Sequence, residues 1–208
     1  MYQFVQLDSR KFKKTVLNWL PPRKNESLER YAQRMAQQIP ATNQPMVLVG
    51  VSFGGMIAVE ISKIRPVART ILISSLKTSN ELPGYLRVLG KLNLHHYLPW
   101  HWAKKLPGLY NWIFGAQTFI QKKMLREIIR DTDMAFVKWA LTAIVNWQNQ
   151  CQVPDLLHVH GKQDKIFPLT YIKKSITVYS GGHLIIFSAA NEISQLITQA
   201  ANQIFYSE

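Results

Sequence analysis

Cysteine is almost absent from this chain of 208 residues, since Cys151 is the only one. A single thiol excludes an intramolecular disulfide framework and any metal site built from several thiolates. Long apolar runs are missing as well: the longest, 45–59, is shorter than a membrane span and contains three glycines. The amino terminus lacks the continuous apolar core of a secretory signal. We therefore expect a soluble, cytoplasmic protein with no transmembrane segment.

Acidic residues are also scarce, with 12 Asp and Glu against 25 Lys and Arg and a net charge of +13. Such a charge favours an acidic partner: nucleic acid, an anionic membrane, an acidic protein or an anionic substrate. Residues 1–45 and 81–150 each carry +5, whereas residues 151–208 are neutral overall. No nucleic-acid recognition motif and no Rossmann glycine pattern accompanies the charge. We therefore expect neither nucleic acid nor a nucleotide cofactor.

The rest of the composition is that of an ordered protein, with 47% hydrophobic residues, and the length predicts one domain over 1–208. Short apolar segments alternate with helical periodicity, which predicts an α/β protein with a mostly parallel sheet flanked by helices. The predicted strands are 3–7, 15–19, 46–49, 69–75, 156–160 and 176–179. Residues 81–150 interrupt this alternation with several aromatic-rich helices, the clearest over 133–147, and predict a helical insertion between two strands.

Two helices outside the insertion have clear boundaries in the sequence. One carries apolar residues at helical spacing after Asn25, which is predicted as its N-cap, and ends at Pro40. The other is the last helix of the chain, predicted from about Ala190.

A glycine-flanked serine lies between a predicted strand and a predicted helix, in the segment Gly50-Val51-Ser52-Phe53-Gly54. Small residues let the backbone reverse tightly there, which leaves the serine hydroxyl exposed. The N–H of Phe53, at the helix start, points toward negative charge that forms beside the serine. The alternative is a glycine-rich turn that only packs the helix on the strand. A phosphate loop would require a Gly-Lys-Ser/Thr ending, which this segment lacks. The pattern favours Ser52 as a nucleophile.

An acid and a base follow later in the chain, each directly after a predicted strand. Asp164 ends the segment His160-Gly-Lys-Gln-Asp164, and His183 ends Gly181-Gly182-His183. Since the carboxyl ends of parallel strands meet at one sheet edge, both side chains should lie near Ser52. Serine needs such a base, held in orientation by an acid. We therefore predict Ser52 as nucleophile, Asp164 as acid and His183 as base.

With these three motifs the chain resembles the α/β-hydrolase superfamily over nearly its whole length. The resemblance implies a Ser52–His183–Asp164 triad, no cofactor or metal, and a helical lid formed by 81–150. The chain departs from the superfamily in a shortened amino-terminal part, where the usual His-Gly motif is replaced by Leu17-Asn18-Trp19-Leu20-Pro21-Pro22. Proline has no N–H to donate. Beside Phe53, the second oxyanion-hole donor is therefore predicted as Leu20, with Trp19 as the alternative.

These features predict a serine hydrolase that cleaves a carboxylic ester or thioester through an acyl-enzyme, with the acyl group under the aromatic-rich lid. The substrate is a small-molecule ester or an acyl group on an acidic acyl carrier protein, which the basic lid would attract. A non-catalytic protein that binds an acidic partner on the same fold is the alternative. Cys151 is expected to be a small buried apolar residue. His95, His96 and His101 are expected to pack in the lid or lie on its surface rather than bind a metal.

Overall fold

The computed structural model describes residues 10–92 and 106–205. In this part of the chain, four parallel strands form one sheet in the order β1-β2-β3-β4. The strands are β1 (Val47–Val51), β2 (Arg69–Ile73), β3 (Leu156–Gly161) and β4 (Ile176–Val178). Because each is short and apolar and follows a helical segment, all run in the same direction. The predicted parallel sheet is confirmed, whereas the predicted strand 3–7 lies outside the described residues.

The helices of the described residues are numbered in chain order. They are α1 (Leu28–Ala36), α2 (Phe53–Ser62), α3 (Gly84–Lys91), α4 (Pro107–Phe114), α5 (Phe119–Asp131), α6 (Met134–Asn146), α7 (Ile185–Ser188) and α8 (Ala190–Phe205). Single 3₁₀ turns occupy Ser79–Glu81 and Leu169–Tyr171. In the two ranges that the structure describes, no helix is both long and apolar enough to span a membrane.

Helices cover both faces of the sheet. On one face, α1 and α2 bury Tyr31 and Met56 against β2 and the residues that follow it. On the other face, α8 buries Ile193 and Ile197 against Ile71 of β2 and its neighbours. Two apolar layers therefore hold the strands, which leaves the carboxyl ends of the strands free to carry polar side chains.

Helices α3 to α6 form the insertion between β2 and β3, as the sequence predicted. Trp147, just after α6, donates from its indole Nε1 to the buried Glu60 carboxylate of α2 at 2.7 Å. Trp139 of α6 donates to the Glu26 carbonyl at 2.8 Å. A side chain on Gly90 of α3 would meet Val145 of α6, so these two helices pack at close range. The insertion is thus anchored to the helices beside the sheet.

The predicted strand 15–19 is not a strand, because helix α1 and the turn after it supply its hydrogen-bonding partners. The Gln38 side-chain amide accepts from Asn18 N–H at 3.2 Å and donates to Asn18 C=O at 2.9 Å. The Tyr31 hydroxyl accepts from Leu20 N–H at 2.9 Å and donates to Leu20 C=O at 2.8 Å. Tyr31 of α1 and Gln38, which lies just beyond the end of α1, therefore bind alternate residues of the extended segment.

The start of α1 also differs from the prediction. Ser27, rather than Asn25, is the N-cap, and its hydroxyl accepts from the N–H of Arg30. Asn25 instead adopts a positive φ of 54° in the preceding turn, a conformation that Asn tolerates better than most residues. The last helix begins at Ala190, as predicted.

Candidate active site

Ser52 stands on a strained turn between β1 and α2. Its φ of 52° and ψ of −124° lie outside the regions that side chains favour. Its N–H donates to the Ile73 carbonyl of β2 at 2.9 Å, and its own carbonyl accepts from Ser75 Oγ at 2.7 Å. The turn is therefore fixed from the neighbouring strand, which supports the unfavourable backbone conformation.

Two glycines make this turn possible. A Cβ on Gly50 would overlap the Gly54 carbonyl oxygen, and a Cβ on Gly55 would overlap the Ser75 side chain. A Cβ on Gly54, in contrast, would only reach ordinary contact with Trp19, at 3.7 Å. The tight backbone approach that the sequence assigned to the glycines on both sides of the serine is thus located at Gly50 and Gly55.

The structure brings the three predicted side chains into one hydrogen-bonded line. His183 Nε2 lies 2.8 Å from Ser52 Oγ, and His183 Nδ1 lies 2.8 Å from Asp164 Oδ2. In the neutral tautomer protonated on Nδ1, the imidazole donates to the carboxylate and accepts from the serine hydroxyl. The arrangement can therefore remove a proton from the serine and stabilise the resulting imidazolium.

Asp164 is buried, and every side of its carboxylate is occupied. Oδ1 accepts from the N–H groups of Ile166 and Phe167 at 2.8 and 2.9 Å. Burial alone would raise the pKa of Asp164. The electrostatic attraction to His183 and the hydrogen bonds from His160, His183 and Phe167 outweigh the effect of burial and hold that pKa well below its usual range. The carboxylate is therefore ionised, as the orienting acid of a triad requires.

Two further histidines, His158 and His160, lie on β3 behind the Asp164 carboxylate. His160 Nε2 is 2.8 Å from the Phe167 carbonyl and 3.3 Å from Asp164 Oδ2, so His160 supports the Asp164 turn. Its Nδ1 faces His158 Nε2 at 3.3 Å. Burial, together with the neighbouring His160 and Lys77, lowers the pKa of His158 well below its usual range, so His158 is neutral.

The insertion contacts the His183 loop directly. Gly115, which caps α4 with a φ of 72°, packs against the backbone of Gly182 so closely that a Cβ would lie 3.1 Å from the Gly182 Cα. The rings of Phe114 and Phe167 meet the imidazole edge-on from two sides, each with centroids 5.7 Å away. His183 itself is buried. These contacts fix the orientation of the imidazole.

An aromatic group lies on the opposite side of Ser52. The Trp19 ring stacks on Phe53 with centroids 5.8 Å apart and meets Phe136 at 5.3 Å, while Trp139 meets Phe53 at 5.6 Å. Trp19 is nevertheless 48% exposed, so one part of this group is open to a ligand. Phe136 and Trp139 lie in the helix that the sequence predicted over 133–147, but the sequence did not show that Trp19 would join them beside the nucleophile.

The two predicted oxyanion donors differ in their availability. Phe53 is the first residue of α2, so its N–H has no partner within the helix. The N–H of Leu20, in contrast, is bound to the Tyr31 hydroxyl. Burial raises the pKa of Tyr31, which keeps the phenol protonated and able both to accept from Leu20 and to donate to it. The Trp19 N–H makes no hydrogen bond to another described residue, so of the two alternatives it is the one that is free.

Other candidate residues take structural positions. Cys151 is exposed, which contradicts the expectation of burial. Glu81, the other carboxylate available after β2, accepts from the backbone N–H groups of Lys77 and Lys173 and is not hydrogen-bonded to His183. Within 10–92 and 106–205, no three potential ligands cluster in a way that could hold a metal ion. His95, His96 and His101 lie outside these ranges.

Comparison with known proteins adds evidence at the level of the fold. No protein-family model and no curated protein sequence matches this chain. A thermophilic esterase is 17% identical, with a TM-score of 0.63 over 87% of this chain and 75% of the esterase. An N-acyl homoserine lactonase complexed with N-butanoyl homoserine is also 17% identical, with a TM-score of 0.63 over 88% and 72% of the two chains.

A meta-cleavage product hydrolase from Pseudomonas fluorescens is 14% identical, with a TM-score of 0.60 over 88% of this chain and 74% of the hydrolase. These likenesses extend over most of each protein. The chain therefore has the α/β-hydrolase fold, and the resemblance seen in its sequence motifs is confirmed at that level.

Proposed function

We propose that this protein is a serine hydrolase that cleaves a carboxylic ester or thioester through an acyl-enzyme. The observation that carries the proposal is the unbroken line from Ser52 Oγ to His183 to Asp164, with both links at 2.8 Å. A protein that only binds a partner has no need of a serine on a strained turn, a base and a buried ionised acid in this order. The esterases and the lactonase with the same fold are consistent with it.

In this mechanism, His183 Nε2 takes the hydroxyl proton of Ser52 as Oγ bonds to the acyl carbonyl carbon. The carbonyl oxygen becomes an oxyanion, which the Phe53 N–H stabilises, with the Trp19 N–H as the candidate second donor. When the tetrahedral intermediate collapses, the bond to the alcohol or thiol breaks, and His183 returns the proton to that leaving group. Water, deprotonated by His183, then attacks the acyl-enzyme and releases the acid and Ser52.

The substrate has an apolar surface available beside the nucleophile. Trp19 and Phe136 lie against Phe53, the residue that follows Ser52, and Trp19 is half exposed. Such aromatic surfaces suit an acyl chain or a ring. Since α4 packs on the His183 loop and α6 carries Phe136, we assign the insertion the role of a lid over this surface.

The acyl group can arrive in two ways. A small ester reaches Ser52 by diffusion alone, whereas an acyl group on an acidic acyl carrier protein would be attracted by the exposed Lys122 and Lys123 of α5. The two sources differ in salt dependence, because steering of a charged macromolecule weakens as salt shortens the Debye length. Added salt should therefore lower kcat/KM for the carrier-bound acyl group and leave a neutral ester of the same acyl chain unchanged.

Covalent labelling tests the function itself. We expect a fluorophosphonate probe to label the wild-type chain at Ser52, and Ser52→Ala to abolish labelling and to lower ester hydrolysis by about 10⁶-fold, as in other serine triads. Ser62→Ala, at the far end of the same helix, is the matched control and should react as the wild type does. A panel of acyl esters of increasing chain length supplies the substrate.

Two results would contradict the proposal. Labelling that persists in a folded Ser52→Ala variant would show that the turn is only structural. A folded wild-type chain that neither reacts with the probe nor hydrolyses any member of the panel would favour the non-catalytic binding protein.

A further inference from the structure

A basic cleft lies beside the aromatic group, between the turn 23–26 and the polar face of α1. Its volume is about 320 Å³, at the lower end of the range for small-ligand sites. Its charged lining residues are Arg23, Lys24, Glu26, Arg30 and Arg34. Arg30 and Arg34 are neighbours on one face of α1, and the Trp139 indole holds the Glu26 end of the turn in place. The cleft is therefore bounded by fixed elements on both sides.

The one carboxylate among the residues that line the cleft already forms an ion pair with an arginine. Glu26 is buried and accepts from Arg34 Nη1 with both oxygens, at 2.9 and 2.8 Å, while its Oε2 also accepts from the Arg23 N–H at 2.8 Å. Arg34 further donates to the Pro21 carbonyl at 3.2 Å. This ion pair shapes the wall of the cleft, and the negative charge of Glu26 is matched by the positive charge of Arg34.

Three cationic side chains remain. The guanidinium groups of Arg23 and Arg30 and the ammonium of Lys24 have no hydrogen bond or ion pair with another described residue. Like charges that converge on one cleft repel each other, and low-dielectric walls concentrate their field on whatever anion enters. Two arginines beside a lysine match the oxygens of a phosphoryl group, which accepts several charge-assisted hydrogen bonds at once.

Two aromatic rings, Tyr31 and Trp19, lie between the Arg34 wall of the cleft and Phe53, the residue that follows the nucleophile. The Arg34 guanidinium lies over the Tyr31 ring, 5.8 Å from its centroid, and the opposite neighbour of Tyr31 is Trp19, with centroids 6.5 Å apart. Trp19 in turn stacks on Phe53, which follows Ser52. A substrate that places its reacting carbonyl at Ser52 and its acyl group against Phe136 can extend its alcohol or thiol part across the exposed Trp19 ring. The far end of that part would then reach the cleft.

We propose that the cleft formed by Arg23, Lys24 and Arg30 binds a phosphoryl group carried at the far end of the ester or thioester substrate. The assignment rests on the proposed hydrolase function. It narrows the substrate class from any acyl ester to one with a phosphoryl group on its alcohol or thiol part. The exposed Trp19 ring, which lies between the two sites, would contact the apolar part of that substrate.

Anion binding can be measured without catalysis. We expect inorganic pyrophosphate to bind the full chain carrying Ser52→Ala. Isothermal titration calorimetry at low salt measures this binding. The added triple change Arg23→Gln, Lys24→Gln and Arg30→Gln should weaken binding at least about tenfold, since each lost charge-assisted hydrogen bond contributes on that scale. The matched control changes three exposed lysines near the carboxyl end of α8: Lys11→Gln, Lys13→Gln and Lys14→Gln.

The control removes the same charge from a different place, so it should bind pyrophosphate as the parent does. Circular dichroism melting of each variant establishes that it is folded, and the single change Arg30→Gln provides a milder test of the same site. Equal weakening in both triple variants would show that pyrophosphate senses net charge only. That result, or the absence of binding, would overturn the site.

Turnover of a matched pair of substrates tests the substrate class. An acyl thioester of phosphopantetheine and the same acyl thioester of pantetheine differ only in the phosphoryl group. We expect kcat/KM to favour the phosphorylated one by about tenfold or more, and the ratio to fall toward one in the cleft variant but not in the lysine control.

The possible failures are distinguishable. Equal turnover of the two thioesters by the wild type would overturn the phosphoryl assignment and leave the hydrolase function intact. If neither thioester nor any simple ester is hydrolysed and Ser52 is not labelled, the hydrolase function fails, and with it the link between the cleft and a substrate.

Discussion

The two sides of Ser52 are held in different ways. On the side of His183, parallel strands and their backbone hydrogen bonds fix the site: Ser52 N–H binds Ile73 C=O of β2, and the Asp164 turn follows β3 directly. On the side of Trp19, the chain from 12 to 26 is no strand, and side chains of α1 and α6 hold it instead. One side is built by backbone ladders and the other by individual side chains.

This difference determines how robust each side is to mutation. A backbone ladder persists when side chains change, because every residue except proline carries the same N–H and C=O groups. A segment held by one tyrosine and one glutamine loses an anchor with a single substitution. Substitutions on the His183 side should therefore mainly lower the rate of the reaction. Substitutions on the Trp19 side should mainly displace the segment 12–26.

The largest expected effect is a loss of reaction rate on the His183 side of Ser52, where backbone hydrogen bonds fix the site. Asp164→Asn should leave the fold intact but lower kcat/KM for ester hydrolysis by about 10⁴-fold, because the amide holds His183 in the wrong tautomer. Asp131→Asn on exposed α5 is the control and should retain full activity. Activity of Asp164→Asn within tenfold of the wild type would assign the acid role to another carboxylate.

A pair of glycine substitutions compares the two sides within one turn. Gly50→Ala should lower the free energy of unfolding by about 1–3 kcal/mol or prevent folding, since its Cβ overlaps the fixed Gly54 carbonyl. Gly54→Ala faces the Trp19 ring at 3.7 Å and should be neutral or slightly stabilising, because alanine favours the helix. Urea unfolding measures both. Equal destabilisation would mean that the amino-terminal segment is as rigid as the turn.

Removal of one oxygen tests the side-chain anchor. Tyr31→Phe eliminates both hydrogen bonds to Leu20 and should lower the free energy of unfolding by about 1–2 kcal/mol, measured in urea. Tyr110→Phe is the control, since Tyr110 is also buried but its hydroxyl makes no hydrogen bond to another described residue. If both variants are equally stable, the segment is held by the packing of Trp19 rather than by the phenol.

The last prediction concerns the pH dependence of the free energy of unfolding that comes from His158 of β3. His158 is neutral in the fold, with Lys77 and Asp164 as its charged neighbours and the His160 ring beside it, whereas in the unfolded chain it gains a proton below about pH 6.5. The unfolded state then binds more protons, so stability is complete above pH 6.5 and falls as the pH is lowered, by up to about 1.4 kcal/mol per pH unit.

His158→Gln should remove this contribution, so that the free energy of unfolding falls less steeply between pH 6.5 and 5 than in the wild type. The comparison uses slopes, so any constant destabilisation of the variant cancels. Identical slopes in the two proteins would show that His158 is protonated in the fold.

The same contrast explains what could be predicted from the sequence. Ser52, Asp164 and His183 follow short apolar strands, and these local patterns were enough to place them at one sheet edge. The segment at 15–19 has the residues of a strand, but its partners are the side chains of Tyr31 in α1 and Gln38 in the turn after it, and their hydrogen bonds leave no periodic signal. For the same reason, the sequence could not show that the Leu20 N–H is occupied or that Trp19 reaches Phe53.

The contact between Gly115 and Gly182 has a mechanical consequence. With no side chain between them, the end of α4 bears directly on the loop that carries His183, so a displacement of the insertion is transmitted to the base without being absorbed by rotamer changes. The proposed triad is thus assembled only while the insertion is in place. Inactivation on heating should then precede the melting of the sheet, because partial detachment of the insertion is sufficient to disarm the serine.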